Sequence, residues 1–130
     1  MLAVDTNVVV RYLVKDDEAQ SARAVEIVES GPVFVSVTVI LECEWVLRSF
    51  YGFSRSQVAD TLAAFCGAPN VEVGEAAALH RAFRLAERGL DFADALHLAQ
   101  AEGCEAFVTF DKRLAKRAAR ETQGVAVRLA

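Results

Sequence analysis

The sequence predicts an α/β protein in three layers, α/β/α, with helices covering both faces of a central parallel sheet. Short apolar runs rich in β-branched residues alternate with longer segments of helical periodicity. No internal repeat, low-complexity tract or linker interrupts this alternation. The 130 residues, 54% of them hydrophobic, suffice for one domain with a sizeable core. We therefore expect a single domain over residues 1–130.

The first half of the chain predicts three strands separated by pairs of helices. Gly31 and Pro32 end the second helix, and Ser54 is expected to cap the fourth. The predicted elements are a strand over 2–4, helices over 8–14 and 16–30, a strand over 32–36, helices over 37–50 and 54–66, and a strand over 70–73.

The second half shows the same alternation of helices and strands. Gly89 and Gly103 mark the ends of two helices, because glycine commonly follows the last helical residue. The predicted elements are helices over 75–88 and 91–102, a strand over 105–109, a helix over 111–122 and a strand over 125–129.

The charge balance argues at first against a nucleic-acid partner. The chain has 14 Lys and Arg residues against 18 Asp and Glu, a net charge of -4, whereas contacts to phosphates need cations. Its longest stretch without a charge, 30–41, is far shorter than the ~20 apolar residues of a membrane span. Three widely spaced cysteines indicate neither a disulfide framework nor a zinc site. We expect a cytoplasmic protein that does not cross a membrane.

Four acidic residues stand where a parallel α/β sheet places its ligands, near the carboxyl ends of strands. Asp5 and Asp111 each follow a predicted strand, and Glu42 and Asp94 lie in apolar helical sequence. Asp5, Asp111 and also Asp91 could instead be helix caps. Acids among apolar residues are costly to bury without a partner, which makes Glu42 and Asp94 harder to explain as ordinary surface residues.

Carboxylates brought together repel one another, and a divalent cation removes that repulsion. A set of ligands made only of Asp and Glu oxygens suits Mg²⁺ or Mn²⁺ rather than Zn²⁺. Such a site could bind a phosphodiester and activate a water for hydrolysis. The acid pattern therefore predicts metal-dependent phosphoester chemistry.

At these residues the sequence resembles the PIN-domain family, and within it the VapC-type toxins of bacterial toxin–antitoxin pairs. Residues 4–7 are similar to the family's opening motif and 36–42 to its Ser/Thr-to-Glu segment. Residues 91–99 resemble its central acidic helix, and 108–114 its Thr-x-Asp motif. The four segments occur in order and span nearly the whole chain.

The resemblance implies an Mg²⁺-dependent endoribonuclease, for which Mn²⁺ can substitute, that hydrolyses RNA by metal-activated water. It further implies a homodimer held inactive by a cognate antitoxin protein. The residues that it implies as catalytic and metal-binding are Asp5, Glu42, Asp94 and Asp111. Those implied as polar support are Thr6, Asn7 and Thr109, and Asp91 either joins the acidic cluster or only caps its helix.

Basic residues gather late in the chain. Lys112, Lys116 and Arg120 recur every fourth residue of one predicted helix, as do Arg113 and Arg117. We interpret Lys112, Arg113 and Lys116 as contacts to RNA phosphates beside Asp111; the alternative is an ordinary solvated helix face.

An aromatic cluster lies around the end of the helix predicted over 37–50. Its members are Trp45, Phe50, Tyr51 and Phe53. These rings could stack on bases, but we expect them to pack in the core or in a dimer interface.

Two other functions remain open. A haloacid-dehalogenase-like phosphatase would need a second acid two residues after its nucleophilic Asp; Asn7 occupies that place after Asp5. A PIN-like interaction module without activity would be expected to have lost an acid, yet all four are present.

Overall fold

A computed structural model describes residues 1–121 and 124–130. Its elements, in order, are β1 (Leu2–Ala3), α1 (Thr6–Val14), α2 (Glu18–Glu29), β2 (Val33–Val35), α3 (Val37–Ser49), α4 (Arg55–Cys66), β3 (Val71–Val73), α5 (Ala76–Glu87), α6 (Phe92–Gln100), β4 (Phe107–Thr109), α7 (Lys112–Ala118) and β5 (Val127–Leu129). Every predicted helix and strand is present, with ends shifted by a few residues. The predicted end of the last helix, Thr122, lies outside the described residues.

The chain divides into two compact units, Met1–Ala76 and Ala77–Ala130. In the first, β1, β2 and β3 form a parallel ladder in which Val33 pairs with both Leu2 and Val71. The central strand β2 buries Val33 and Val35 completely. Helices α1 and α2 connect β1 to β2, and α3 and α4 connect β2 to β3, which is the crossover that parallel pairing requires.

The second unit contains β4 and β5, which also pair in parallel. Its core includes Leu79, Ala82 and Ala95, together with the rings of Phe83 and Phe92, which stack 5.3 Å apart. Helix α7 packs against both strands of this ladder.

The α/β class is confirmed. All described strand pairs are parallel, and seven helices connect the strands in the described part of the chain, consistent with the predicted three-layer α/β/α fold. The predicted single sheet takes the form of two ladders, three-stranded in the first unit and two-stranded in the second. Among the described residues, no helix has both the length and the apolar character needed to cross a bilayer.

A polar network in the first unit joins the Tyr51 side chain to those of Arg11 and Asp16, which are distant from it in sequence. The Arg11 guanidinium donates to Asp16 at 2.7 Å and to the Tyr51 hydroxyl at 3.0 Å, and that hydroxyl donates to Asp16 at 2.8 Å. The Tyr51 hydrogen bond, and then that of Arg11, hold the pKa of the Asp16 carboxyl below its usual value. The ionised form of Asp16 therefore stabilises the fold above the unfolded pKa of Asp16, and this contribution is lost as pH falls through the lower folded value.

Ser54 caps α4 as the sequence predicted. Its hydroxyl accepts the Gln57 N–H at 3.1 Å, while the Gln57 side chain accepts the Ser54 N–H at 2.8 Å. This reciprocal capping box satisfies two N–H groups that the helix itself leaves unpaired.

We expect Ser54→Ala to lower the free energy of unfolding by about 1 kcal/mol, because the Gln57 N–H loses its acceptor. The measurement is reversible denaturant unfolding. Ser56→Ala, an exposed change in the first turn of the same helix, is the matched control and should leave stability within a few tenths of a kcal/mol. Equal effects of the two substitutions would contradict a stabilising role for the cap.

Candidate metal-dependent nuclease site

The predicted acids of the first unit are Asp5 and Glu42, which we call the N-terminal acidic pair. Asp5 follows β1 and caps α1, where its Oδ1 accepts the Val8 N–H at 3.2 Å. The next residue, Thr6, donates from its hydroxyl to Glu42 Oε1 at 3.1 Å. A strand end, a helix start and a neighbouring helix therefore hold the pair in one region.

The buried thiol of Cys43 lies close to the N-terminal acidic pair. Burial, and then the charges of Glu42, Cys66 and Asp5, raise its pKa to about 12. Its Sγ also lies 3.9 Å from the Thr6 carbonyl oxygen. Both acids therefore act electrostatically on one buried atom, which indicates that they are neighbours.

Glu42 lies on the surface, although apolar residues surround it in the sequence. Its side chain is exposed, because Ile40, Cys43 and Leu47 turn toward the core and leave Glu42 on the opposite side of α3. The acid that α3 does bury is Glu44, whose carboxylate accepts from the Arg48 guanidinium at 2.8 Å. The partner that a buried acid requires thus exists for Glu44, and Glu42 stays accessible.

The predicted acids of the second unit are Asp91, Asp94 and Asp111, which we call the C-terminal acidic trio. Asp94 lies in the first turn of α6, partly buried, and burial raises the pKa of its carboxyl. The negative charges of Asp91 and Asp111 raise that pKa further, and His97 opposes them. These effects place Asp91 and Asp111 within electrostatic range of Asp94.

Asp91 caps α6, accepting the Asp94 N–H at 3.4 Å. Asp91 therefore caps the helix, and its negative charge also acts on Asp94. A role of Asp91 as a metal ligand stays a prediction.

Asp111 follows β4 and caps α7. Its Oδ1 accepts the N–H groups of Arg113 at 2.9 Å and Leu114 at 3.0 Å. The hydroxyl of Thr109 accepts the Asp111 N–H at 3.0 Å. This hydrogen bond between residues two apart closes a local turn. The turn fixes the backbone from which the Asp111 side chain extends.

Capping leaves part of each carboxylate free. Asp5 and Asp111 bind helix N–H groups through Oδ1, and in the described part of the chain no hydrogen bond reaches the Oδ2 of either residue. A carboxylate carries about four lone-pair sites, so the cap and ligand roles are compatible at one residue.

The remaining predicted residues are on the surface. Asn7 is exposed in the first turn of α1, and Lys112, Arg113 and Lys116 are exposed on α7. A shallow basic groove on that helix is lined by Arg113, Lys116, Arg117 and Arg120.

A PIN domain family model matches residues 2–120. The chain belongs to the PIN domain family. No characterised protein matches it at a significant level of similarity. Domains of this family are generally nucleases that use divalent metals.

The donor chemistry of this PIN domain fits a divalent cation. The acidic pair and trio offer carboxylate oxygens, the ligands that hard cations prefer. Burial, and then the charges of Asp91 and Asp111, raise the Asp94 pKa, and a bound cation would offset both effects. Within residues 1–121 and 124–130, no three His, Cys, Asp or Glu side chains are already arranged around a metal-sized space.

The core alternative for Trp45 and Phe50 is wrong, because their exposed fractions are 60% and 78%. Packing in a dimer interface stays a prediction. The spacing of three residues between Glu42 and Trp45 was the sequence signal that places both on one face of α3.

We expect Asp111→Asn and Asp111→Ala to separate the cap from the charge. With metal removed by a chelator, Asp111→Asn should unfold like the wild type, because asparagine caps as well as aspartate does. Asp111→Ala should lose about 1 kcal/mol of unfolding free energy, because two N–H groups lose their acceptor. Denaturant unfolding measures both, and equal stabilities of the two variants would contradict the capping role.

Proposed function

We propose that this PIN domain is an Mg²⁺-dependent endoribonuclease and the toxin of a toxin–antitoxin pair. The observation that carries the proposal is the Asp94 carboxyl, held partly buried beside Asp91 and Asp111 in a family of nucleases. A partly buried carboxylate cluster is unfavourable by itself and becomes favourable with a divalent cation.

The proposal assigns all four predicted acids to one hydrolytic reaction. Asp5 and Asp94 would be the principal ligands of Mg²⁺ or Mn²⁺, with Glu42 and Asp111 as the further carboxylates. A bound divalent cation supplies a lowered pKa for the attacking water and neutralises the leaving oxygen of the phosphodiester. The products would be a 3′-hydroxyl and a 5′-phosphate.

The polar neighbours orient these acids. The Thr6 hydroxyl donates to one oxygen of Glu42, and no hydrogen bond from residues 1–121 or 124–130 reaches the other. The Thr109 hydroxyl accepts the backbone N–H of Asp111. This bond fixes the backbone position from which the Asp111 carboxylate extends. We assign Asn7 and Asp91 to the same supporting role.

The exposed cations at the start of α7 support the proposal of an RNA substrate. Lys112, Arg113 and Lys116 are exposed on a helix that Asp111 starts. Cations there would hold phosphates of the strand and give no preference for a base. They supply locally the positive charge that the whole chain lacks.

The toxin role rests on the resemblance of the sequence to VapC-type proteins. It implies a cytoplasmic homodimer whose activity is blocked by a cognate antitoxin. Neither a small-molecule phosphatase nor an inactive interaction module is favoured by any contact of the described residues.

We expect the protein to cleave RNA with Mg²⁺ or Mn²⁺ and to stop when a chelator is added. Asp94→Asn should lower cleavage at least about 100-fold, since losing even an outer partner of a metal ligand costs about 10–100-fold. Gel analysis of labelled RNA measures cleavage, and circular dichroism checks folding.

Asp60→Asn is the matched control for that experiment. Asp60 is an exposed acid in α4, so its loss removes the same charge and should leave cleavage unchanged. Cleavage that survives the chelator, or that persists in Asp94→Asn, would overturn the metal mechanism. Growth arrest on expression of the wild type, and not of Asp94→Asn, would test the toxin role separately.

We also expect Mg²⁺ to raise the melting temperature of the wild type. A ligand at tenfold its Kd, binding only the native state, stabilises it by about 1.4 kcal/mol. Differential scanning calorimetry with Mg²⁺ and with chelator measures the shift. Asp94→Asn should lose most of the Mg²⁺-induced shift, and Asp60→Asn should keep it. A wild-type melting temperature that is unchanged by Mg²⁺ would contradict a native metal site.

A further inference from the structure

One side of α3 presents a continuous exposed row. Its members are Thr38, Glu42, Trp45 and Ser49, all exposed and spaced by three or four residues. Residues at that spacing lie above one another on a helix surface. Trp45 is therefore one turn from Glu42, about 5–6 Å between Cβ atoms.

Trp45 is unusual for its residue type. Tryptophan is highly buried on average, yet 60% of Trp45 is exposed. The other members of its row carry a carboxylate and hydroxyl groups, so the indole is the one large apolar surface there. Phe50, the exposed aromatic residue at the end of α3, lies about 140° around the helix axis from Trp45.

The row is a poor interface for a second protein. A stable protein–protein interface buries about 800 Å² on each partner around an apolar centre. Beside Trp45 the row offers the carboxylate of Glu42 and the hydroxyl of Ser49, and burying such polar groups costs free energy unless a partner binds them. A single flat ring flanked by polar groups instead suits a ligand that is itself flat and edged with polar atoms.

We propose that Trp45 is a stacking platform for an unpaired nucleobase of the substrate, one nucleotide away from the bond that is cut. The inference rests on the proposed function, because Glu42 marks the position of the chemistry. It adds to that function a binding position for one unpaired base, since bases inside a duplex are stacked on one another and cannot reach a side chain.

Stacking on an aromatic ring is tolerant of base identity and contributes to binding more than to the chemical step. Its loss costs about 1–3 kcal/mol per base, or roughly 5- to 150-fold in affinity. We therefore expect Trp45 to act on KM and to leave kcat nearly unchanged, whereas the carboxylates act on kcat.

The chain supplies its own probe, because Trp45 is its sole tryptophan. Tryptophan fluorescence of the full-length Asp94→Asn variant is titrated with a short single-stranded RNA of mixed sequence, with the same RNA in a duplex, and with an abasic strand of equal length. Quenching by the single strand, and weak or no quenching by the duplex and abasic strands, is the expected result.

Kinetics of single-strand cleavage provide the second measurement. Trp45→Ala and Trp45→Leu should raise KM by about 5-fold or more, while Trp45→Phe, which keeps a ring, should retain most of the affinity. Phe50→Ala is the matched control, an exposed aromatic residue off the row, and should leave KM unchanged. Since Trp45 is exposed, none of these changes opens a cavity in the core.

The outcomes separate this inference from the function on which it rests. Metal-dependent cleavage with an unchanged KM in Trp45→Ala and no quenching would overturn the stacking role and leave the nuclease standing. Quenching without any cleavage by the wild type would overturn the nuclease and support the base site. Fluorescence that changes with protein concentration in the absence of RNA would show that a second copy covers Trp45, and would also overturn the proposal.

Discussion

The hydrogen bond from a helix N–H to the polar side chain just after a strand is the interaction on which the rest of the structure depends. Asp5 makes it after β1, Ser36 after β2 and Asp111 after β4. Strands of two or three residues provide few ladder bonds of their own, so the chain must turn at once into a helix whose first N–H groups need acceptors. A side-chain oxygen at the junction satisfies them and fixes the turn.

The same constraint prepares a place for a cation. A helix N-terminus carries partial positive charge, which attracts a capping carboxylate. Capping fixes one oxygen of Asp5 and of Asp111, and the second oxygen is left with a defined direction and no internal partner among the described residues. The residue that starts the helix is thus already ordered as a potential ligand, at little further entropic cost.

The sequence predicted well what depends on near neighbours along the chain. Helix caps, the strand-to-helix junctions and the position of Asp94 in a first turn all follow from residues within four of one another. Contacts over longer separations were not predictable: the network of Arg11, Asp16 and Tyr51 joins residues 35 and 40 apart. The exposure of Glu42 was not predictable for a related reason, since only the packing of α3 decides which of its two acids, Glu42 or Glu44, enters the core.

The net charge of the chain is less informative than where its charged side chains lie. A net charge of -4 argued against RNA because it averages over the chain, whereas a polyanion responds to charge within about 10 Å. On α7 the exposed groups are mostly cationic beyond Asp111, and on α3 an exposed carboxylate stands beside an exposed indole. Phosphates need the cations of α7, a divalent cation needs a carboxylate, and a base needs the exposed indole. None of these contacts depends on the net charge of the whole chain. A nuclease with an acidic sequence is therefore no contradiction, because the acids that lower the net charge are those that would bind its metal.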